Sequence, residues 1–459
     1  MNLYLLLVKC LTALKEESEL RLAYLFGGQP HDIDFLRLKK KFSGFFLQSL
    51  IFIFIILKKF NLRSNSQSQK SIYAYAESAN QYNALSSTIL KILENNDEIK
   101  LTTENSIKVD EQVKQYSQPL KASFKVIFTA LVIFIIKAPS LYFSLKNASK
   151  HKKSRFYINQ FYLSYFYLPY FLDELKKSKP MFVLMSNDIN VACRSLKLAA
   201  KTLNIKSVYL QHGSVSKIYP PLEHNYIFLD GQASLEIYRA CENDNYKNLN
   251  KYLDRKIFLS GNKKNLKKLE LNKNQIGIAV NRLDDLENIK ILCSNLIKSG
   301  YNVRLRFHPG MINLIKKNFI NIFKNNSSFE CIDPEQESIS EFCGNIFCLI
   351  AGNTSTHLEA AICGVIPIYF NSINVDYQYD YYSFVKNGLS YEANSVQDIL
   401  SIINKIQSNQ LKLNNNAVNY FSSTFQTQWQ GREGELVASH LLSISRNIDP
   451  KELFGYTTI

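Results

Sequence analysis

Four short clusters of polar residues each follow an apolar stretch that is typical of a β-strand. Parallel strands of an open α/β sheet end at the same edge, and ligands bind beyond their carboxyl ends. Four clusters of this kind therefore indicate a binding cleft. The clusters are Ser186-Asn187-Asp188, Gln211-His212-Gly213-Ser214, His308-Pro309-Gly310 and Gly352-Asn353-Thr354-Ser355-Thr356.

The fourth cluster, Gly352 to Thr356, opens a predicted helix and has the chemistry of an anion site. The free N–H groups and partial positive charge of a helix N-terminus bind phosphate. Gly352 lets the backbone approach a ligand, and the three hydroxyl side chains that follow Asn353 add donors. Glu359, one turn further, could accept hydrogen bonds from the two hydroxyls of a ribose. The Ser/Thr-x-x-Glu spacing also fits an ordinary helix cap.

Arg306, His308 and Pro309 lie at the end of the strand predicted over Val303 to Phe307. His308 could donate to a phosphate oxygen and stabilise a departing nucleotide, while Pro309 fixes the backbone. Arg306 is two residues earlier on the same face, so its guanidinium is expected to reinforce the anion site. The alternative is a histidine that only caps the edge of the sheet.

His212 is the candidate general base, because the pKa of histidine lies near neutral pH. Its turn is expected to depend on Gly213. Asp188 ends the neighbouring predicted strand and either orients His212 or serves as the base itself. The alternative for His212 is a structural turn residue. The remaining candidates on the acceptor side are Glu77, Asn187, Gln211 and Gly213.

No metal or cofactor is expected. Asp32-Ile33-Asp34 matches the short acidic pattern of metal-dependent transferases, but it follows no clear strand. His224, His357 and His440 have no comparable setting and are expected in the core or at the surface. The eight cysteines form no CxxC pair, so a reducing, cytoplasmic location is the default expectation.

Predicted strands and helices alternate from residue 71 onward, which predicts an α/β protein with parallel sheets. The Lys/Asn-rich segment Asn262 to Asn274 divides the pattern into two doubly wound, Rossmann-like domains that face each other across a cleft. Residues 1–262 form the first domain, in which an aromatic stretch at about 115–177 reads as an insertion. Residues 263–459 form the second, and its last helices could return to the first.

The formal net charge of +16 favours anionic partners. No nucleic-acid recognition motif accompanies it, and the lysine runs lie beside apolar stretches, which favours a membrane surface. Phe45 to Leu57 and Val126 to Ile136 are shorter than the ~20 residues of a spanning helix. Two interpretations stay open for these stretches: a buried core element, or shallow insertion into the inner leaflet.

The residues of these clusters resemble those of bacterial surface-polysaccharide glycosyltransferases with two Rossmann-like domains, the GT-B type. The pairs His212-Gly213 and His308-Pro309, with Thr354-Ser355-Thr356, are similar to motifs of bacterial sialyltransferases and of CDP-glycerol glycerophosphotransferases. The resemblance implies that His308 and the hydroxyl residues contact the donor phosphate and that His212 is the base. Leu229-Asp230-Gly231 departs from the sialyltransferase pattern, since it has one acidic residue where that pattern has two.

The expected function is inverting, metal-independent transfer of a sugar onto a capsular, lipopolysaccharide or lipid-linked glycan. The resemblance favours a CMP-linked donor, with sialic acid or another nonulosonic acid as the sugar. The first alternative is transfer of a polyol phosphate from a CDP-activated donor. The second is a non-catalytic module that binds glycan or nucleotide during export. The expected location is peripheral, on the inner face of the cytoplasmic membrane.

Overall fold

The structure is a computed structural model that describes most of the chain. Asp32-Ile33-Asp34 and most of the predicted linker Asn262 to Asn274 lie outside the described residues. The described residues are 1–23, 44–61, 72–95, 98–104, 107–147, 158–216, 219–245, 255–264, 266, 275–281, 284–309, 311, 313–334, 336–371, 379–446 and 448.

The first sheet has seven parallel strands in the order β3-β2-β1-β4-β5-β6-β7. The chain winds outward as far as β3 and then returns to the other side of β1, so the winding direction reverses between β1 and β4. There Tyr75 pairs with Met185. The strands are β1 (Ile72–Ala76), β2 (Ile99–Thr103), β3 (Ser117–Pro119), β4 (Phe182–Met185), β5 (Lys206–Leu210), β6 (Tyr226–Leu229) and β7 (Lys256–Leu259).

The second sheet has six parallel strands in the order β10-β9-β8-β11-β12-β13. Its winding reverses between β8 and β11, where Ala279 pairs with Ala351. The strands are β8 (Gln275–Val280), β9 (Asn302–Phe307), β10 (Phe329–Ile332), β11 (Cys348–Ala351), β12 (Ile366–Phe370) and β13 (Tyr391–Ala393).

Helices connect the strands and cover the sheets. Those that precede β8 are α1 (Leu3–Glu16), α2 (Glu19–Leu22), α3 (Phe45–Lys58), α4 (Ala79–Glu94), α5 (Glu111–Lys114), α6 (Phe124–Asn147), α7 (Ile158–Ser178), α8 (Val191–Thr202) and α9 (Gln232–Asn245). Those that follow it are α10 (Leu286–Lys298), α11 (Asn313–Phe323), α12 (Ile339–Gly344), α13 (Thr356–Ile362), α14 (Val396–Gln407), α15 (Asn415–Phe421) and α16 (Glu433–Ser445).

The predicted fold class is confirmed, since both sheets are parallel and each reverses its winding once. The interior strands lie close to their predicted positions because each is an apolar run bounded by polar residues. The edge strands β3 and β13 were not predicted. Each has only three residues, too few to show an alternating hydrophobic pattern.

Helix α7 lies within the range 115–177 that the sequence sets apart as an insertion. Most of its 21 residues are buried. The ring of Phe171 packs edge-on against Tyr73 and Tyr75 of β1, at centroid distances of 6.4 and 5.2 Å. Aromatic side chains on both partners thus build one continuous core, and α7 covers a face of the first sheet.

The two apolar stretches of uncertain role form helices α3 and α6. Each has a buried side and an exposed side: Phe52 of α3 is fully buried, whereas Phe46 and Phe54 are 74% and 60% exposed. The buried sides meet, and the rings of Phe52 and Phe134 stack at 4.8 Å. Residues Phe124–Lys146 form the one helix in the described chain that is long and apolar enough to cross a membrane, and 39% of its most apolar window is buried.

The C-terminal part of the chain returns to the first sheet. Val437, Ala438 and Leu441 of α16 belong to the core beneath that sheet. At Gly261, with φ of +72°, an added Cβ would lie 1.8 Å from the Thr424 hydroxyl oxygen. Only glycine therefore fits at position 261, where the C-terminal part of the chain passes at Thr424. The two halves of the protein are in direct contact at this point.

Candidate functional site

The two halves of the protein meet in a crevice at the carboxyl ends of their strands. Residues after β5 form one wall, and residues of α13 together with the chain near Tyr382 form the other. This is the edge at which open α/β sheets bind ligands. The lining residues include Gln211, Ser214, Val215, Leu358 and Tyr382.

The Gly352–Thr356 turn connects β11 to α13 and is held by hydrogen bonds on both sides. Asn281 Nδ2 donates to the carbonyl of Asn353 (3.1 Å), and Tyr381 N donates to Asn353 Oδ1 (2.9 Å). An added Cβ at Gly352 would lie 2.9 Å from Asp284 Oδ1. The turn is therefore preorganised, and Gly352 permits its close packing.

The hydroxyl groups of this turn do not form a helix cap. Helix α13 begins at Thr356, and the side chain of its N-cap residue, Ser355, makes no capping hydrogen bond. Ser355 Oγ instead donates to Glu359 Oε1 (3.4 Å), while the hydroxyls of Thr354 and Thr356 share a 3.0 Å hydrogen bond. The capping interpretation is thus wrong, and the hydroxyls lie together on the turn.

His357 supports the turn from behind, a role that the sequence did not reveal. Its Nε2 donates to the carbonyl of Gly352 (2.8 Å), and Ser390 Oγ donates to Nδ1 (3.0 Å). Burial lowers the pKa of His357 to about 4, so the ring stays neutral and keeps both bonds at neutral pH. The core role expected for this histidine is confirmed.

His308 and Pro309 follow β9 and are exposed. The backbone N–H of His308 donates to Val280 O (2.8 Å), which extends the β8–β9 pairing by one residue. The guanidinium of Arg306 is occupied by other contacts. Its Nη1 donates to the carbonyl of Glu337 (2.6 Å), and its central carbon lies 5.8 Å from the centre of the Phe342 ring. Burial lowers the pKa of the Arg306 guanidinium, whereas the negative charges of Glu337 and Glu359 raise it.

His212 follows β5 on the opposite wall and is partly buried. Within the described chain, its Nδ1 has no hydrogen-bond partner. Burial lowers the pKa of His212 to about 4; the Lys264 charge adds to this, and a hydrogen bond with the Ser186 backbone opposes it. The imidazole is therefore neutral at physiological pH, the form that a general base requires, but with this pKa it is a weaker base than an ordinary histidine.

Asp188 follows β4 and does not orient His212 in this structure. Its Oδ2 accepts from the hydroxyl of Tyr238 (3.0 Å), which in turn contacts the hydroxyl of Tyr209 (3.0 Å). Asp188 is 3% exposed, and burial raises the pKa of its carboxyl to about 6. The carboxylate thus has a different hydrogen-bond partner from the one expected.

Asn187 and Gln211 shape the turns that carry the candidate acids and bases. Asn187 Oδ1 accepts from two backbone N–H groups, those of residues 189 and 190 (2.9 and 2.8 Å). Gln211 Nε2 donates to Gly213 O (2.9 Å), and its Oε1 accepts from Asp230 N (2.9 Å). A Cβ at Gly213 would meet nothing within 4 Å, and its φ is not left-handed. The expectation that this turn needs glycine is therefore wrong.

Glu77 follows β1 and lies close to the β4 turn, since its carboxylate accepts from Asn190 Nδ2. Burial and the charge of Glu104 raise the pKa of Glu77 to about 7, while Lys59 lowers it. The reversal of winding between β1 and β4 therefore places Glu77 against the turn that follows Asp188, and the pKa of each carboxyl is raised by burial.

Asp230, the single acidic residue of Leu229-Asp230-Gly231, is fully engaged inside the protein. Lys263 Nζ donates to its Oδ1 (2.8 Å), and Asn262 Nδ2 donates to its Oδ2 (3.2 Å). The side chains of Lys263 and Asp230 are 0% and 2% exposed. The carboxylate consequently faces the protein interior and has a structural role.

Lys264 contacts the candidate site residues but was not predicted from the sequence, because it lies in the segment interpreted as a linker. Its Nζ forms an ion pair with Glu359 of α13, and its charge lowers the pKa of His212 on the opposite wall. The described residues include no group of three His, Cys, Asp or Glu side chains that could hold a metal ion.

No family model matches the sequence, and no curated protein matches it. Several solved structures match its fold. A protein from Listeria monocytogenes assigned as a UDP-N-acetylglucosamine 2-epimerase has a TM-score of 0.53 at 10% identity, covering 83% of this chain and 98% of its own. The UDP-GlcNAc 2-epimerase from Neisseria meningitidis bound to UDP-GlcNAc has a TM-score of 0.52 at 12% identity, covering 81% and 99%. The chain has the GT-B fold.

The S. aureus MnaA–UDP structure gives a similar match, with a TM-score of 0.50, 12% identity and coverage of 83% of this chain and 98% of that chain. At these identities the likeness is one of fold.

Proposed function

We propose that the chain is a metal-independent, inverting glycosyltransferase that uses a nucleotide-linked sugar. One observation carries this proposal: the ammonium of Lys264 acts electrostatically on the neutral imidazole of His212 and also pairs with Glu359, whose Oε1 accepts from Ser355 of the preorganised Gly352–Thr356 turn. A base and an anion site that face each other suit the transfer of a group from a phosphate to a hydroxyl.

In the proposed reaction, His212 removes the proton from an acceptor hydroxyl, and Asp188 is the alternative base. The hydroxyl oxygen attacks the anomeric carbon from the side opposite the nucleotide, so the configuration inverts. The carbon–oxygen bond to the donor phosphate breaks, and its electron pair stays on the phosphate. His308, Arg306 and the turn hydroxyls then stabilise the added charge. Glu359 would accept hydrogen bonds from the ribose hydroxyls.

The proposed donor is CMP-linked, on the strength of the sequence resemblance, and sialic acid or another nonulosonic acid is the favoured sugar. The same crevice also suits attack on the phosphorus of a CDP-activated polyol, which would transfer a polyol phosphate. Two of the structures with the same fold are described with UDP or UDP-GlcNAc. Uridine nucleotides therefore belong in any ligand screen.

The decisive experiment is a thermal-shift screen of the full chain against CMP, CDP, UDP, GDP and their sugars. We expect cytidine nucleotides to raise the melting temperature most, and Ser355→Ala to weaken that effect. Stabilisation by UDP or GDP alone would overturn the cytidine donor, and binding without any turnover would favour the export-module alternative.

Product mass then separates the two transfer reactions. A transferred sugar adds no phosphorus to the acceptor, whereas a polyol phosphate adds one phosphorus atom per turnover. Incubating the stabilising donor with a lipid-linked glycan and weighing the product by mass spectrometry distinguishes them. A phosphorus-bearing product would replace the glycosyl reaction by the polyol-phosphate one.

The proposed location is the anionic inner face of the cytoplasmic membrane, where capsular, lipopolysaccharide and lipid-linked acceptors are found. Exposed large apolar side chains concentrate on three helices, and two of these, α3 and α6, contain four lysines and no acidic residue. Such a surface suits insertion into the headgroup region. Lys125 and Lys137 pair with Asp173 and Glu19, so the exposed Lys58 and Lys146 are the lysines that would bind anionic lipid. The exposed residues are Leu3, Tyr4, Leu5, Val8, Phe46, Leu47, Leu50, Phe54, Leu57, Phe124, Phe128, Ile135, Ile136 and Phe143.

A further inference from the structure

The backbone around Lys264 is fixed to the first half of the protein. Besides its ion pair with Asp230, Lys263 Nζ donates to the carbonyl of Phe228 (3.2 Å). Asn262 Oδ1 accepts from the backbone N–H of Lys264 (3.1 Å). Because these contacts are buried, the segment that leaves β7 begins its crossing to the second half from a rigid position.

The side chain of Lys264 reaches the second half. Its ammonium pairs with Glu359 Oε1, the same oxygen that accepts from Ser355 Oγ. The Lys264 side chain is 25% exposed and that of Glu359 is 7% exposed. The ammonium is therefore held beside the Gly352–Thr356 turn, at the margin of solvent.

The two neighbouring lysines differ in a way that separates their roles. Lys263 is completely enclosed, and its ammonium is satisfied by Asp230 and a carbonyl. A quarter of the Lys264 side chain is exposed to solvent, and its charge acts electrostatically on His212. A phosphate that enters this crevice is a stronger partner for an ammonium than a single carboxylate oxygen, because it carries more charge and more acceptors.

We propose that Lys264 is a donor-phosphate ligand: Glu359 holds its ammonium in the unliganded protein, and the bound nucleotide takes that ammonium over while Glu359 turns to the ribose. This inference rests on the proposed function. Lys264 would then stabilise the charge that the leaving phosphate gains when the bond to the transferred group breaks, while His212 takes the acceptor proton.

The proposal predicts an effect on the pH dependence of transfer. Within the described chain, Lys264 is the charged side chain that acts on His212; Asp188, at the end of the adjacent strand, is bonded to Tyr238. Removing the cation raises the pKa of His212. Since a base must be unprotonated, the acidic limb of kcat/KM should move to higher pH.

The test compares Lys264→Met, Lys264→Arg and Glu359→Gln in the full chain, with Lys290→Met as control. Lys290 is a partly exposed lysine of α10 that pairs with Glu287 at 3.3 Å. We expect Lys264→Met to lower kcat/KM on the order of 100-fold, to weaken CMP binding and to shift the acidic limb upward. Lys264→Arg should keep most of the activity. Lys290→Met should change neither kcat/KM nor CMP binding, and its pH profile should match that of the wild type.

The outcomes of this test separate the inference about Lys264 from the proposed function. If Lys264→Met keeps the wild-type kcat/KM and pH profile, Lys264 does not touch the donor. If Lys264→Met and Glu359→Gln lose equal activity with an unchanged pH profile, the ion pair between Lys264 and Glu359 only stabilises the contact between the two halves of the protein. If the wild type binds a nucleotide without transferring anything, the proposed function fails, and CMP affinity alone then tests Lys264. A wild type that binds no nucleotide refutes both.

Discussion

The exposed apolar surface of α1, α3 and α6 makes a quantitative prediction about membrane binding. Phe46, Phe54 and Ile135 are 74%, 60% and 70% exposed, so most of each side chain is available to insert. Burying a complete side chain of this size contributes ~1.5–3 kcal/mol. Three side chains buried to about two-thirds would contribute roughly 3–6 kcal/mol in total.

Shallow insertion buries only part of that surface, so the lower bound is the relevant figure. Because ~1.4 kcal/mol corresponds to a tenfold change in affinity, replacing all three residues by serine should weaken binding on the order of 100-fold. The substitutions remove side chains that contact water in the folded protein. We therefore expect the melting temperature to change little.

The assay is co-sedimentation of the full chain with phosphatidylglycerol-containing vesicles and with vesicles of phosphatidylcholine alone. The wild type should bind the anionic vesicles more tightly, and added salt should weaken that preference without abolishing binding. The matched control replaces Ile291 and Ile322 by serine, since these are 53% and 51% exposed on helices of the second half. A triple variant that sediments like the wild type would refute the assignment of this surface.

Three further predictions concern the crevice. His212→Asn should reduce transfer by ~10²-fold or more with CMP affinity unchanged, and near-normal turnover in a transfer assay would remove its role as base. Gly352→Ala should weaken nucleotide binding because its Cβ would lie 2.9 Å from Asp284 Oδ1, whereas Gly213→Ala, with nothing within 4 Å, should leave the melting temperature unchanged. Buried His357 has its pKa lowered to about 4 from about 6.5 when unfolded. Below pH 6.5 the unfolded chain therefore binds a proton that the folded chain does not, and ~3 kcal/mol of the free energy of unfolding should be lost between pH 6.5 and 4. Urea unfolding at the two pH values should show a smaller loss of this free energy in His357→Gln than in the wild type. An equal loss in the two proteins would contradict the assignment.

The sequence predicted the two sheets because each interior strand is a short apolar run that ends in a polar cluster. The sequence also placed the polar turns at one edge of each sheet, since parallel strands have their carboxyl ends together. Residue roles at those turns were harder to assign. Asn187 and Gln211 have the side chains of ligands, yet both are used to hold the backbone. The same amide chemistry serves both purposes, so residue type alone does not separate them.

Two residues of the site gave no usable sequence signal. Lys264 lies in a Lys/Asn-rich stretch, where a lysine is ordinarily a solvated surface residue. Its importance comes from a tertiary contact with Glu359, 95 positions further along the chain. His357 follows the hydroxyl cluster directly, but its bonds to Gly352 and Ser390 depend on how β11 and the chain before β13 pack together. Contacts of this kind are determined by the fold and not by local pattern.

Arg194 of α8 links the chain at the end of α1 to the turn that carries Asp188. Its Nε donates to the carbonyl of Arg21 (2.7 Å), its Nη2 to Glu17 (3.2 Å) and its Nη1 to the carbonyl of Asp188 (3.1 Å). The guanidinium is 4% exposed, and a buried charge that loses its partners is strongly destabilising, by ~3–5 kcal/mol. The end of α1 and the Asp188 turn therefore move together. An acceptor that enters from the apolar surface would meet a turn whose position is already set by the helices that form that surface.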